Sequence, residues 1–328
     1  MITLRILSRA NALAAGAGDW SLAVEDVRET TRLLRLGEAV MVDECVLPVG
    51  TDPREKAYGL PASVGGRYDA AGLKWAMHRA APGAGLPSIT STTLVHRLGD
   101  GRPLGLVESA LLTRMRTASV SAIAMQTLAA HRIRTVAILG AGAQARAHAE
   151  MVRALFPGVA AIRLWNRTPE RRDVLLSELR QADGPPVAAA ETVLEAIADA
   201  DVVLCCTAAP TPLLGREVVR PGRLVVQAGF NEIGFGAIDG LDAVTVDLWG
   251  GFAEKSAKSL FQMYRAGRFE PSRVAADLAA IVVDGWRPDE TASVLFSSFG
   301  LNVFDIALAA RVLARAEADD IGTVVPLF

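Results

Sequence analysis

Residues Gly140-Ala141-Gly142-Ala143-Gln144-Ala145 form a G-x-G-x-x-A pattern directly after the apolar run Thr135 to Leu139, and they open a helix-forming segment. The first glycine permits a tight turn and the second lets backbone approach a pyrophosphate. The small third residue lets helix pack on strand, with the helix N-terminus facing the phosphates. A tight strand–helix turn with no ligand shares this pattern; the strand before it and the helix after it favour dinucleotide binding. The next apolar run ends in Leu164-Trp165-Asn166-Arg167-Thr168. An NAD site usually places Asp or Glu there for the ribose 2′-hydroxyl. Here no acid repels a 2′-phosphate, Arg167 can pair with one, and Asn166 and Thr168 can hydrogen-bond it, so NADPH is favoured while NADH stays possible. Thr168 before Pro169 also fits a helix N-cap. Arg116, in the small-residue stretch RMRTASVSAIA, can grip a carboxylate with two parallel hydrogen bonds or pair with an acidic neighbour.

The elements around these residues read as α/β. Thr135–Leu139 is continuously apolar, as in a parallel sheet covered on both faces. A helix follows the glycine loop; then come strand AIRLW, a helix from about Thr168, strand PVAAA, helix TVLEAIAD, and strands DVVLCC, RLVVQAG and AVTVD. This alternation predicts a doubly wound, Rossmann-type sheet. Before it, the N-terminus reads as a strand, a loop and the approach to a helix over 24–36. Two strand-like pieces within 57–77 are separated by Gly65-Gly66, Asp100-Gly101 marks a hairpin turn, and 110–130 reads as a long helix. The last segment, SVLFSSFGLNVFDIALAARVLARA, reads as a strand or turn and then a long helix that packs back on the N-terminal part.

Composition narrows the function. With 328 residues, 51% of them hydrophobic, the chain can fill the cores of two domains. Lys plus Arg (34) balances Asp plus Glu (36), which gives no basic surface for nucleic acid; Arg171 and Arg172 read as a solvated helix face. No apolar run reaches the ~18 residues of a membrane helix. Cys45, Cys205 and Cys206 form no C-x-x-C pair and read as small buried hydrophobes in a reducing compartment, the cytoplasm. The four histidines lack metal-ligand spacing, so no metal is expected.

Several pieces together resemble the ornithine cyclodeaminase/mu-crystallin family, over about residues 37–315. They are Leu60-Pro61-Ala62, Gly72-Leu73-Lys74, Asp100 to Leu104, Leu112 to Ala118, Gly140 to Arg146, and Ser298-Phe299-Gly300-Leu301 with Asp305. The resemblance implies a substrate-binding and dimerisation domain of α+β type, built from 1–125 and the C-terminal helix in 305–328, with a Rossmann NAD(P)-binding domain over 126–304. It implies action on a small imino, keto or amino acid. The WNRT piece is closer to the NADPH-binding crystallin branch than to the NAD-binding cyclodeaminases. Arg116 matches a residue that grips the substrate carboxylate, and Lys74 one that contacts the substrate carboxylate or carbonyl; a desolvated lysine can also assist proton transfer. A surface lysine is the alternative for Lys74 if the resemblance is set aside.

The expected cofactor contacts are Thr117, Gly140, Ala141, Gly142, Ala143, Gln144, Asn166, Arg167, Thr168 and Thr207. Two departures bear on the reaction. Glu44 stands near the place of a carboxylate-binding arginine, where it either meets a substrate amine or is an exposed loop acid. Asn231 replaces an aspartate of the cyclodeaminases, and an amide cannot take an amine's proton at neutral pH; Glu232 is adjacent and could substitute as a base, but one position along the chain usually changes direction. The catalytic set is therefore Lys74, Arg116 and Asn231. The expectation is an NAD(P)H-dependent imine reductase or amino-acid dehydrogenase that forms a homodimer or larger closed oligomer. An ornithine-type cyclodeaminase and a cofactor-dependent binder without turnover are its rivals.

Overall fold

The structure is a computed structural model that describes residues 2–52, 55–129 and 133–328. The chain divides into two compact units, Met1–Arg116 with Leu301–Phe328, and Thr117–Gly300.

The first unit begins with strand β1 (Thr3–Leu7), helix α1 (Arg9–Ala14) and helix α2 (Trp20–Leu36). Helix α2 starts before the expected residue 24 because Asp19 caps it, its side chain accepting from the Leu22 N–H at 3.0 Å. It ends at Gly37, which is left-handed with φ 75°. Strands β2 (Ala39–Met41), β3 (Cys45–Pro48), β4 (Lys56–Val64), β5 (Ala70–His78), β6 (Ile89–Arg97) and β7 (Pro103–Glu108) follow. Helix α3 (Ala110–Leu128) carries the chain into the second unit; Ala130, the end of the expected span, lies outside the described residues.

The second unit is an eight-stranded, wholly parallel sheet. In chain order it comprises β8 (Thr135–Leu139), α4 (Ala143–Leu155), β9 (Ala161–Trp165), α5 (Pro169–Arg180), β10 (Val187–Ala189) and α6 (Val193–Ile197). It continues with β11 (Val202–Cys205), β12 (Leu224–Gln227), α7 (Phe235–Gly240), β13 (Ala243–Val246), α8 (Ser259–Arg265), β14 (Val274–Ala276), α9 (Leu278–Val282) and β15 (Val294–Ser297). The order is β10-β9-β8-β11-β12-β15-β13-β14. β15, expected as a strand or a turn, is a strand that inserts between β12 and β13, displacing β13 from the place beside β12. β11, β12 and β15 are buried at every position, as a sheet covered on both faces requires. The expected solvated helix face is corrected at Arg172. It is 6% exposed and donates from Nη1 to the Ala190 carbonyl and to Glu191, each at 2.9 Å.

Helix α10 (Asn302–Ala318) and strand β16 (Thr323–Pro326) return to the first unit. β16 was not anticipated; it pairs antiparallel with β1. The completed sheet runs β16-β1-β7-β6-β5-β4-β2, with β3 on β4. α10 packs on β4, β5, β6 and α2, and its core residues Val303, Phe304, Ile306 and Ala307 are fully buried. One face of the sheet is therefore covered. The other face carries a cross-strand row, Pro61-Leu73-Leu94-Leu106-Ile6, set by the register of β4, β5, β6, β7 and β1. No residue of that row is buried. Cys45, expected to be buried, is exposed on β3, which has a strand on one side alone; Cys205 and Cys206 are buried, and all three are free thiols.

Candidate active site

In the first unit one carboxylate gathers two cations. Lys74 sits in mid-strand on β5, facing the covered side, and is 4% exposed. Asp305 lies in the first turn of α10 and is wholly buried. Lys74 Nζ donates to Asp305 Oδ2 at 2.8 Å, and the Thr113 hydroxyl of α3 donates to Oδ1 at 3.2 Å. Arg116, one helical turn after Thr113, places Nε 3.3 Å from the same Oδ2. That Nε is buried with no hydrogen-bond partner among the described residues. Burial raises the Asp305 carboxyl, but Arg116 and Lys74 together more than offset it and hold the group below the usual carboxylate range. Burial lowers the Lys74 ammonium; Asp305 supports its charge while Arg116 opposes it. Two cations on one anion leave the cluster net positive where water is scarce. It therefore attracts a further anion, and Arg116 keeps hydrogen-bonding capacity to meet one.

In the second unit the site is made of backbone. The order β10-β9-β8-β11 reverses direction at β8, so the crevice at the carboxyl ends of β8 and β11 is a topological switch point, where ligands of open α/β sheets bind. Gly140 follows β8 with φ 121°, and a Cβ there would stand 2.5 Å from the Cys206 carbonyl that follows β11. Only glycine fits both the dihedral and the approach. Gly142 is the N-cap of α4, without side-chain cap and with no atom within 4 Å of where a Cβ would be. The first N–H groups of α4, from Ala143 and Gln144 on, thus open onto free space, and the buried Gln144 Oε1 has no partner among the described residues. An anion such as a pyrophosphate fits this cradle. After β9, Asn166 Nδ2 donates to the Thr168 carbonyl at 2.8 Å and Arg167 is exposed. Thr168 is the N-cap of α5, but its hydroxyl makes no capping bond.

The loop after β12 is held by Glu232, the acid noted beside Asn231, and by Lys258, which sequence spacing did not single out. Glu232 is wholly buried; its Oε1 accepts from the Thr207 N–H at 3.0 Å and hydroxyl at 3.1 Å, and its Oε2 from Gln227 Nε2 at 3.3 Å. It is spent fastening Thr207 and the Gly229 loop, where a Cβ would collide with its carboxylate. Lys258, 4% exposed, donates to the Ala228 and Gly229 carbonyls. Asn231 donates from Nδ2 to the Pro210 carbonyl at 2.9 Å, and its Oδ1 accepts from Ser259 Oγ at 3.3 Å. Thr117 is buried on α3. His148 of α4 is locked between Ser121 Oγ at 2.8 Å and the Gln144 carbonyl at 2.7 Å. Burial holds its imidazole down at about 4, against that backbone hydrogen bond.

The expected residues thus fall into two sets. Lys74 and Arg116 are brought together in the first unit; Thr117, Gly140 to Gln144, Asn166 to Thr168, Thr207 and Asn231 belong to the second. Asp305, the centre of the first set, was visible as one acid in the apolar run NVFDIALAA, and a charge in such a run signals a buried partner.

Comparison with known proteins places this geometry. The model of the ornithine cyclodeaminase/mu-crystallin family matches residues 20–320. A Delta(1)-pyrroline-2-carboxylate reductase of Bacillus cereus (strain ZK / E33L) is 29% identical over 245 residues, 73% of this chain and 74% of the relative. An NAD(P)H-dependent anabolic L-arginine dehydrogenase of Pseudomonas aeruginosa is 30% identical over 239 residues, 71% of this chain and 74% of the relative. The solved Thermococcus litoralis Delta(1)-pyrroline-2-carboxylate reductase, in complex with NADH and L-proline, shares the fold. Its TM-score is 0.90 at 22% identity, with 98% of this chain and 99% of that one covered.

Proposed function

The chain belongs to the ornithine cyclodeaminase/mu-crystallin family, and from that premise we propose that it is an NAD(P)H-dependent reductase of a small imino or keto acid. The observation that carries this reading is the net-positive cluster of Lys74 and Arg116 on Asp305, with Arg116 Nε unspent. A 2-imino acid presents a carboxylate to such a cluster, beside the C=N bond to be reduced. The names of the pyrroline-carboxylate reductase and arginine dehydrogenase relatives fall in the same reaction class.

NAD(P)H, when bound, supplies a hydride to the C=N carbon. Arg116 and Lys74 hold the carboxylate. Lys74, its pKa lowered by burial, or a water it orients, delivers one proton to the nitrogen, so that C=N becomes CH–NH. Gly140, Gly142 and the N-terminus of α4 take the pyrophosphate, and Asn166, Arg167 and Thr168 the 2′-phosphate that favours NADPH. Asn231 can orient a group but cannot accept a proton from a distal amine, which weighs against cyclodeamination. The row Pro61-Leu73-Leu94-Leu106-Ile6, with Leu73 and Ile6 exposed and the others half-buried, supports a homodimer that covers that sheet face. The three free thiols support a cytoplasmic setting.

The test is a panel of 2-oxo acids with ammonia or amines, and of cyclic imines, followed by NADPH absorbance. At least one should be reduced, and ornithine should release no ammonia. Brisk ammonia release from ornithine with formation of proline would overturn the reductase reading. For the cofactor, Arg167→Ala should weaken NADPH at least about tenfold more than NADH; equal losses would remove Arg167 from the 2′-phosphate site.

A further inference from the structure

Glu44 immediately precedes β3. Cys45, the first residue of β3, pairs with Gly59, and Gly59 pairs with Trp75. A Cβ on Gly59 would touch both the Cys45 and Trp75 side chains, at 3.6 and 3.7 Å, so these three share the outer face of the sheet. Successive side chains alternate between faces. Glu44 therefore falls on the inner face, in one row with Leu60 and Lys74, which pair directly. Two strand spacings separate Glu44 from Lys74, about 10 Å of backbone.

The surroundings of Glu44 bear out this placement. Its carboxyl is half-buried, and burial raises it above the usual range against the pull of Lys74 and Lys56, while Asp43 pushes it further up. Glu44 in turn raises the Tyr58 hydroxyl, after burial, and Tyr58 stands on the same face two residues from Leu60. Lys74, the cation in its row, is already bound to Asp305. Among the described residues no hydrogen bond or ion pair reaches Glu44. A half-desolvated carboxylate with no partner wants a cation. Along one row the sheet thus offers a positive end at Lys74 and Arg116 and a negative end at Glu44, with the neutral Leu60 between them.

We propose that Glu44 determines specificity, selecting imino acids whose side chain ends in a cation: the α-carboxylate lies on Arg116 and Lys74, and the terminal ammonium or guanidinium on Glu44. This inference rests on the imine-reductase reading and adds to it the substrate class. A hydrophobic stretch of side chain lies over Leu60. A substrate with a second carboxylate is rejected by the same acid, since like charges in a partly dry site repel.

The experiment compares three 2-oxo acids of similar length, each with ammonia and NADPH: one ending in guanidinium, which does not cyclise, one ending in methyl, and one ending in carboxylate. The readout is the ratio of kcat/KM for the guanidinium substrate to that for the methyl substrate. Wild type should favour the guanidinium substrate, and Glu44→Gln should lower the ratio by at least about tenfold, the loss of one charge-assisted hydrogen bond. Glu44→Arg should shift preference toward the carboxylate-ended substrate. NADPH affinity, measured for each variant, reports whether it is folded. A wild-type ratio near one that neither variant changes overturns the role of Glu44 while leaving the reductase reading intact. Failure of the wild type to reduce any of the three, or any cyclic imine, overturns both.

Discussion

The cluster on Asp305 and the cradle at Gly140 are both suited to anions, but they are built in opposite ways. The cradle is backbone. Six consecutive residues make it, and its donors are helix N–H groups whose direction the strand–turn–helix path fixes. The cluster is side chain. Its members come from β5, α3 and α10, and its central bond joins residues 231 positions apart. The cradle offers an anion dipoles and stays neutral. The cluster offers an anion net charge that must be kept from water and balanced. A neutral site tolerates much change in its neighbours; a charged buried site tolerates little, because losing one member strands the others.

That contrast is tested most sharply by Arg116→Ala and Lys74→Ala. Each should lower kcat/KM on the best imine by about 2–5 kcal/mol in transition-state terms, roughly 30- to 5,000-fold. NADPH affinity should stay near wild type in both. If either variant kept normal kcat/KM, or lost cofactor affinity to the same extent, the division of labour between cluster and cradle would be wrong.

Acid separates the two regions next. His148 has a folded-state pKa of about 4 against an ordinary 6.5, so the unfolded chain binds its proton first. Stability linked to His148 is complete above pH 6.5 and is lost as pH falls toward 4, by about 3 kcal/mol in all. Asp305, whose folded pKa lies below 3.8, keeps its contribution through that whole window and loses it only at lower pH. Thermal melts between pH 7 and 4.5 should show the Thr117–Gly300 unit weakening first, and His148→Asn should flatten the trend. Equal weakening of wild type and variant would mean that another group sets the acid limit.

The smallest effect distinguishes turn from ligand within the cradle itself. Gly140→Ala forces a side chain against the Cys206 carbonyl at φ 121° and should cost about 1–3 kcal/mol of stability. Gly142→Ala meets nothing among the described residues and should leave the melting temperature unchanged, while a pyrophosphate seated in this cradle would make it weaken NADPH. Unchanged affinity in Gly142→Ala would place the pyrophosphate elsewhere.

The same contrast explains what could be read from sequence. The glycine loop, the missing acid after β9 and the alternation of strands and helices are local patterns, and each survived into the structure at its expected place. β15 was ambiguous because a four-residue buried strand has no period of its own to distinguish it from a turn. β16 was missed because its edge pairing with β1 is settled by the far end of the chain. Asp305 appeared in the motif but without a role, since nothing in a linear sequence says that Lys74 and Arg116 arrive at it. Glu232 looked like a candidate base beside Asn231; only its three hydrogen bonds reveal it as a fastening for the loop.

The discontinuity of the first unit has a consequence in time. The ribosome makes residues up to Arg116 first, then the whole of Thr117–Gly300, and only afterwards α10 and β16. At ~5–20 residues per second the early strands wait roughly 10–40 s for the helix that covers them. Throughout that interval Lys74 has no Asp305, and the inner sheet face lacks the helix that packs on β4, β5 and β6. The Thr117–Gly300 unit, by contrast, is contiguous and can close as it emerges. The Gly140 loop is therefore formed before Lys74 and Arg116 meet Asp305, and a nascent chain stalled short of residue 302 would have the first without the second.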